Sequence, residues 1–359
     1  MRRALAAPDK FKGTASARDV SEAIASGADR CGWGCTLLPL SDGGDGFLEV
    51  LEGQVTRGDT GGVGITCSEV TGPLGAPIQA EWALHGDLAI IESARASGLS
   101  LAGGPLGNDP LRATSRGTGE LIALAVQAGA AKILLGVGGS ACTDGGLAAL
   151  KALGSAKPER GCASAVTSDE GVELVVACDV KARFLDAADL FAPQKGATPQ
   201  QVAMLAWRLV RVAGIYRARL GIDVTQIPNG GAAGGLAGGL AAIGARLVPG
   251  FDLIAAEVRL AERLAGADLV ITGEGALDLQ SFEGKVVGGV ASIARDLGVP
   301  VLAIVGRTDV HTRSAAAVRG IDVVSLVEHY GEERATREPL VCIQTAVAEF
   351  LARFEAQRA

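Results

Sequence analysis

Between Ala267 and Ala291 the sequence reads ADLVITGEGALDLQSFEGKVVGGVA, an apolar strand that runs into glycines, carboxylates and a lysine. Open parallel sheets bind ligands beyond the carboxyl ends of their strands, so Glu274, Asp278 and Lys285 sit where a polar substrate would be held. Two other stretches share this character. Ala4–Ala7 ends in Pro8-Asp9-Lys10-Phe11-Lys12-Gly13, and Thr36–Leu40 ends in Ser41-Asp42-Gly43-Gly44-Asp45-Gly46. Three strand ends with charge on glycine-bounded turns imply one polar site. Asp42 and Asp45 flank a glycine pair and can turn into one pocket, as Mg2+ or a substrate hydroxyl requires; helix capping would use the same residue type. Asp179 ends the apolar run Val172–Cys178, and a charge that ends a buried strand usually marks a site. Asp144, ahead of Gly145-Gly146, needs no role beyond starting a helix.

The cations add a second clue. Of 33 Lys plus Arg only eight are lysine. Lys10, Lys12, Lys195 and Lys285 lie in turns or glycine-rich segments, where a compact ammonium can reach a phosphate without arginine's planar fork. Gly136-Val137-Gly138-Gly139-Ser140-Ala141 follows a strand and precedes a helix expected over Asp144–Leu153, much like a dinucleotide fingerprint. The acidic residue expected about 20 positions later is missing, so a phosphate or substrate loop is the better reading. No GxxxxGK[ST] run occurs. The segment Gly230–Gly239, which includes Gly234 and Gly235, reads equally as a close-packed helix or as an anion-binding loop that opens one. His85, His311 and His329 lie in no comparable setting.

These groups need a scaffold, and the pattern that positions them is an alternation of short β runs with helices, that of a mainly parallel α/β sheet. Helices are expected from the Ser16 cap to Ala28, over Gly117–Ala128, over Val286–Leu297 and from Pro339 through Phe354. Strands are expected over Ala4–Ala7, Lys132–Val137, Val172–Cys178, Asp268–Thr272, Val301–Val305 and Val323–Leu326. Ile65–Val70, Pro77–Leu84 and Asp87–Glu92 read as antiparallel hairpins. The simplest arrangement is a discontinuous Rossmann-like domain from residues 1–60 and 265–359, with a mixed α/β domain inserted over 61–264. A chain of 359 residues can bury both cores. Its net charge of -7 argues against nucleic acid or an anionic membrane as partner. Seven cysteines without metal-ligand spacing suit reduced thiols. No signal peptide and no membrane span is legible, so a cytoplasmic protein acting on small molecules is expected, with room for a homo-oligomer.

APDKFKGTASARDV, SDGGDG, IESARASGL, ATSRGTGELI, GVGGSACTDGG, VACDV, APQKGATP, GGAAGGLAGGL and ADLVITGEGALDLQSFEGKV resemble, in order, the motifs of the bacterial glycerate kinases of glycerate and glucarate catabolism. The resemblance covers nearly the whole chain. It implies ATP-dependent phosphorylation of D-glycerate, usually at the 2-hydroxyl, on two unlike α/β domains with the site in the cleft between them. In that frame Lys12 and Lys285 face phosphate oxygens, and Lys10, Lys195, Gly138, Gly139, Ser140, Gly234 and Gly235 complete the ATP contacts. Asp42, Asp45 and Asp179 supply Mg2+ or glycerate hydroxyl ligands, with Asp42 and Asp179 the metal candidates. Arg95 or Arg116 faces the glycerate carboxylate beside Glu274, and Asp278 is the expected base, with Asp179 as competitor. The chain departs from the family at Ala276, where arginine is typical, at Leu185–Phe191, and in a shortened stretch between Ala149 and Val172. These departures keep open a kinase of a related short hydroxy acid, or a non-catalytic binding homologue. A Rossmann dehydrogenase is a more distant alternative.

Overall fold

The computed structural model describes residues 2–55, 64–155 and 171–356. The expected domain boundary at 60/61 and most of the shortened stretch between Ala149 and Val172 lie outside the described residues. In chain order the strands are β1 (Arg3–Ala6), β2 (Gly34–Leu37), β3 (Ile65–Thr71), β4 (Pro77–His85), β5 (Leu88–Glu92), β6 (Lys132–Gly136), β7 (Glu173–Ala177), β8 (Arg246–Val248), β9 (Leu269–Leu277), β10 (Val301–Thr308) and β11 (Ile321–Ser325). The principal helices are α1 (Ala17–Asp29), α2 (Phe47–Val55), α3 (Arg116–Gln127), α4 (Leu147–Ser155), α5 (Pro199–Leu220), α6 (Val286–Asp296) and α7 (Pro339–Ala356).

The chain divides into two compact units, one of Met1–Asp42 with Phe251–Ala359, the other Gly43–Gly250. The first change-over falls in the Ser41–Gly46 turn. Phe47, Leu48 and Leu51 of α2 are buried, and α2 packs on β4 and β5 of the second unit.

The first unit is an all-parallel sheet in the order β11-β10-β9-β1-β2. Counted within the unit this is the 2-1-3-4-5 order of a doubly wound sheet, with β9 as third strand. Its topological switch point therefore lies between β1 and β9. Both faces are covered, as parallel sheets require. Ala4, Ala6, Leu269, Ile271, Leu302 and Ile304 pack with α1 and α7, and Leu5, Val270 and Ala303 on the alternate positions are equally buried. Ser16 opens α1 with a reciprocal capping box: its hydroxyl accepts from Asp19 N while the Asp19 side chain reaches back to the Ser16 backbone.

The second unit is a mixed sheet in the order β3-β4-β5-β6-β7-β8, antiparallel from β3 to β5 and parallel from β5 to β8. Ile91, Ile133, Leu135, Leu174 and Val176 form its core with Leu121, Ile122 and Ala125 of α3. The expected parallel domain plus inserted mixed domain is thus the observed fold class. Among the described residues no helix is long and apolar enough to cross a membrane.

Candidate functional site

In the first unit the expected strand-end residues collect at the switch point. Past β1 the chain continues along β9: Ala7 N donates to Ile271 O at 2.8 Å and Asp9 N to Gly273 O at 2.8 Å. Leu40 N donates to Pro8 O at 2.9 Å, which brings the end of β2 alongside. Asp9 and Asp42 therefore follow the ends of β1 and β2, and Glu274 lies in the carboxyl-terminal half of the neighbouring β9.

Their electrostatics follow from this crowding. Burial pushes Asp9 up to about 6; the Asp42 charge adds to the rise, while Lys10, 3.6 Å from Asp9 Oδ1, opposes it. Burial likewise raises Glu274 to about 7, with Asp9 and Asp278 adding to the rise and Ser281 and Lys285 opposing it. Glu274 Oε1 is buried without a hydrogen-bond partner. Asp278 is engaged otherwise: Oδ1 accepts from Ser281 N at 3.0 Å and Ser281 Oγ at 3.3 Å, capping the short 3-10 turn Leu279–Phe282.

Two lysines come from segments close to this part of β9. The Lys12 backbone lies against Gly275, where an added Cβ would stand 3.3 Å from Lys12 N. Lys285 is the N-cap residue of α6, and its charge acts on Glu274. Among the described residues neither ammonium has a hydrogen-bond or ion-pair partner in the protein. Arg307, in register with Ala276 across β9 and β10, is exposed and likewise uncommitted.

The second unit holds the other expected residues. The Gly43–Gly46 turn packs on the loop after β6: Gly138 N donates to Gly43 O at 3.4 Å, and a Cβ on Gly138 would stand 2.5 Å from Gly44 Cα. Gly139 has φ +69°, and a Cβ there would meet Asp45 Oδ1 at 2.6 Å, so only glycine lets that carboxylate approach. Ser140 is buried and pairs with Gly98 in an isolated antiparallel bridge. Lys195 is 5% exposed; its Nζ donates to Ser140 Oγ at 2.9 Å and Cys142 O at 2.7 Å, and burial lowers its pKa. Gly234 and Gly235 pack on the same loop, a Cβ on Gly234 meeting Cys142 O at 2.1 Å and one on Gly235 meeting Gly145 Cα at 2.8 Å. Asp179 is exposed beyond β7, with Oδ1 accepting from Gly250 N at 2.7 Å.

Two arginines expected at the glycerate carboxylate already have protein partners. Arg95 pairs with Glu49 and, at 2.9 Å, with Glu81, and Arg116 pairs with Glu120 at 2.7 Å. Asp144 anchors structure: Oδ2 accepts from Ser115 N and Ser115 Oγ, both at 2.9 Å.

Asp9 and Glu92 escape the sequence reading. Asp9 stands inside a turn singled out for its lysines, yet it is the first charge after β1. Glu92 ends an apolar strand, the same signal that marks Asp179. It is 3% exposed, its pKa is raised by burial, and it accepts from Gly46 N at 3.4 Å and Leu48 N at 3.2 Å at the start of α2.

Among the described residues no three His, Cys, Asp or Glu side chains converge into a ready metal cage. Mg2+ does not require one, since it commonly takes one or two carboxylates and fills its remaining positions with phosphate and water oxygens.

The family profile described as glycerate kinase family matches residues 4–354. Glycerate 2-kinase of Escherichia coli K12 is 36% identical, covering 84% of this chain and 84% of its own. Glycerate kinase of Bacillus subtilis 168 is 36% identical, covering 96% and 98%. An uncharacterized protein of Mycobacterium tuberculosis is 39% identical, covering 92% and 86%. Among solved structures, the crystal structure of a protein assigned as glycerate kinase 2 from Salmonella typhimurium LT2 superposes with a TM-score of 0.79 at 33% identity, covering 100% of this chain and 99% of that one.

Proposed function

Because the chain belongs to the glycerate kinase family, and is thus a phosphotransferase, we propose that it moves the γ-phosphoryl group of ATP to the 2-hydroxyl of D-glycerate, giving 2-phosphoglycerate and ADP. One observation carries the assignment within this chain: at the switch point of a parallel sheet the Lys12 backbone lies against Gly275 and the Lys285 charge acts on the buried Glu274. Two lysines from the segments around a buried carboxyl suit a polyphosphate and an attacking hydroxyl held together. The Escherichia coli relative, a glycerate 2-kinase, supports the 2-position.

Phosphoryl transfer asks for in-line positioning, neutralised phosphate charge and a proton acceptor, with little covalent chemistry from the protein. Lys12 and Lys285 take phosphate oxygens, and α6 adds the positive end of its dipole at Lys285. Bound Mg2+ supplies further neutralisation, and Asp42 is the carboxylate we assign to it; Asp179 is the second unit's candidate for that role. Proton acceptance falls to the carboxyls of the β9 end, Glu274 and Asp278. The glycerate carboxylate needs a cation, and Arg307 is free where Arg95 and Arg116 are paired.

A second reading, phosphorylation of a related short hydroxy acid, is favoured by Ala276, which leaves the β9 position in register with Arg307 without a side chain beyond its methyl. The deciding experiment is ATP- and Mg2+-dependent turnover of D-glycerate, with 31P NMR assigning the product as the 2- or 3-phosphate. Absence of turnover, with a panel of hydroxy acids active in its place, would favour the second reading.

A further inference from the structure

We propose that Glu274 is the catalytic proton acceptor, its carboxylate touching the attacking hydroxyl as the new O–P bond forms; this rests on the kinase reading above. The geometry separates it from Asp278. Asp278 Oδ1 is held by Ser281 N and Ser281 Oγ in a capping box, so one of its two oxygens already accepts two protein donors. Glu274 Oε1 is buried with none. A buried carboxyl oxygen left without a donor costs stability, and a fold tolerates that cost where a ligand completes the contact.

Position supports the same choice. Glu274 lies on β9, next to β1, whose following turn carries Asp9, at the switch point where ligands of doubly wound sheets bind. The charged and polar groups acting on it are Asp9 from the turn after β1, Asp278 and Ser281 from the turn after β9, and Lys285 at the head of α6. On β10 Val305 is in register with it, and Arg307 lies two positions further along the same face. Burial raises this carboxyl to about 7, close to the optimum for a base working at neutral pH.

The step balances. The substrate hydroxyl oxygen forms the bond to the γ-phosphorus as the bond from that phosphorus to the β,γ-bridging oxygen breaks. The bridging electron pair leaves with ADP. The hydroxyl proton passes to the Glu274 carboxylate and afterwards to water.

The test is steady-state turnover of D-glycerate with MgATP from pH 5.5 to 9 by the full-length wild type, Glu274→Gln and Glu274→Asp, with the ATP-induced rise in Tm recorded for each. We expect Glu274→Gln to lower kcat by about 10²- to 10⁴-fold. It should also abolish the acid limb that wild type shows near neutrality, while ATP still raises its Tm. Glu274→Asp should restore part of the rate and retain an acid limb. An active wild type whose acid limb and kcat survive in Glu274→Gln overturns the inference alone. A wild type that turns over neither D-glycerate nor related hydroxy acids, although ATP raises its Tm, overturns the kinase reading and this inference with it.

Discussion

Lys195 Nζ and Ser140 Oγ lie 2.9 Å apart in the interior of the second unit, and the same ammonium donates to Cys142 O at 2.7 Å. Asn108 ties the backbone of both segments, its Nδ2 donating to Lys195 O at 2.9 Å and to Ala141 O at 3.3 Å. A lysine whose sequence setting suggests phosphate is here a clip that holds the glycine loop after β6.

Replacing this lysine should therefore show first in stability. Lys195→Met strips the loop of a charged donor, and hydrogen bonds to charged groups are worth roughly 1.5–3 kcal/mol. Relief of the ammonium's desolvation offsets part of that loss. A lower urea midpoint is expected. A stable variant with unchanged midpoint but lost ATP binding would return Lys195 to the nucleotide.

Lys12 and Lys285 should behave in the opposite way. Neither ammonium has a protein partner among the described residues, so Lys12→Ala and Lys285→Ala should leave Tm nearly unchanged while lowering kcat/KM by about 10²- to 10³-fold, the range for losing one preorganised charge-stabilising donor. Thermal melts beside kinetics separate the cases; a large drop in Tm at unchanged kcat/KM would make them structural.

Arg307→Ala should raise the KM for D-glycerate about 10-fold or more, as loss of a charge-assisted bond to a carboxylate implies, with a smaller change in the KM for ATP. If Arg95 or Arg116 were the clamp, this variant would match wild type.

Gly139→Ala places a methyl 2.6 Å from Asp45 Oδ1 at a backbone with φ +69°. The strain should cost on the order of 1–3 kcal/mol. Asp45→Ala in the same chain should recover only the steric part, so the two changes should be less than additive in a double-mutant cycle. Strict additivity would show that the carboxylate does not approach the loop.

Glu274 also makes a stability prediction with a definite sign. Its folded value of about 7 exceeds the usual 4.5, so between these two pH values the folded chain binds more protons than the unfolded one. Stability from this group is therefore full below about 4.5 and is lost as pH rises through 7. Glu274→Gln should raise Tm relative to wild type at pH 8, and the gain should shrink at pH 5. An equal shift at both pH values would place the carboxyl in ordinary water.

Much of the fold was legible in the residues. The Ser16 cap, the Gly298 stop after α6 and Pro339 at the start of α7 mark helices within a residue or two of where they form. β9 and β10 ran past the expected Thr272 and Val305 because Gly273, Gly275 and Gly306 read as turns. They are instead the positions where the strands close together: a Cβ on Gly273 would meet Ile304 O at 2.1 Å, and one on Gly306 would meet Gly275 O at 2.3 Å. The 22-residue α5 was missed although Thr198, Pro199 and Gln201 form its cap and Gly221 its stop. Exposed Met204, Trp207 and Val210 blur the apolar period of buried Leu205, Leu209 and Val212. In the site, the charge that follows an apolar run was readable at Glu274, although β9 runs on to Leu277, but pairing was not. That Arg95 meets Glu49 and Glu81, and that Asp278 caps a turn, are facts of tertiary distance that spacing along the chain does not encode.

The parallel sheet of the first unit sets an order on synthesis. β1 and β2 emerge first, but β9, which completes the switch point against β1, begins at Leu269, after the whole Gly43–Gly250 unit has been made. That uninterrupted unit can fold on the ribosome, as domains generally do as units. Residues up to Asp42 must wait for β9, so the two halves of the Asp9–Glu274 neighbourhood meet only after that unit has been made, and a chain truncated before β9 would carry the motifs after β1 and β2 without the strand that completes their switch point.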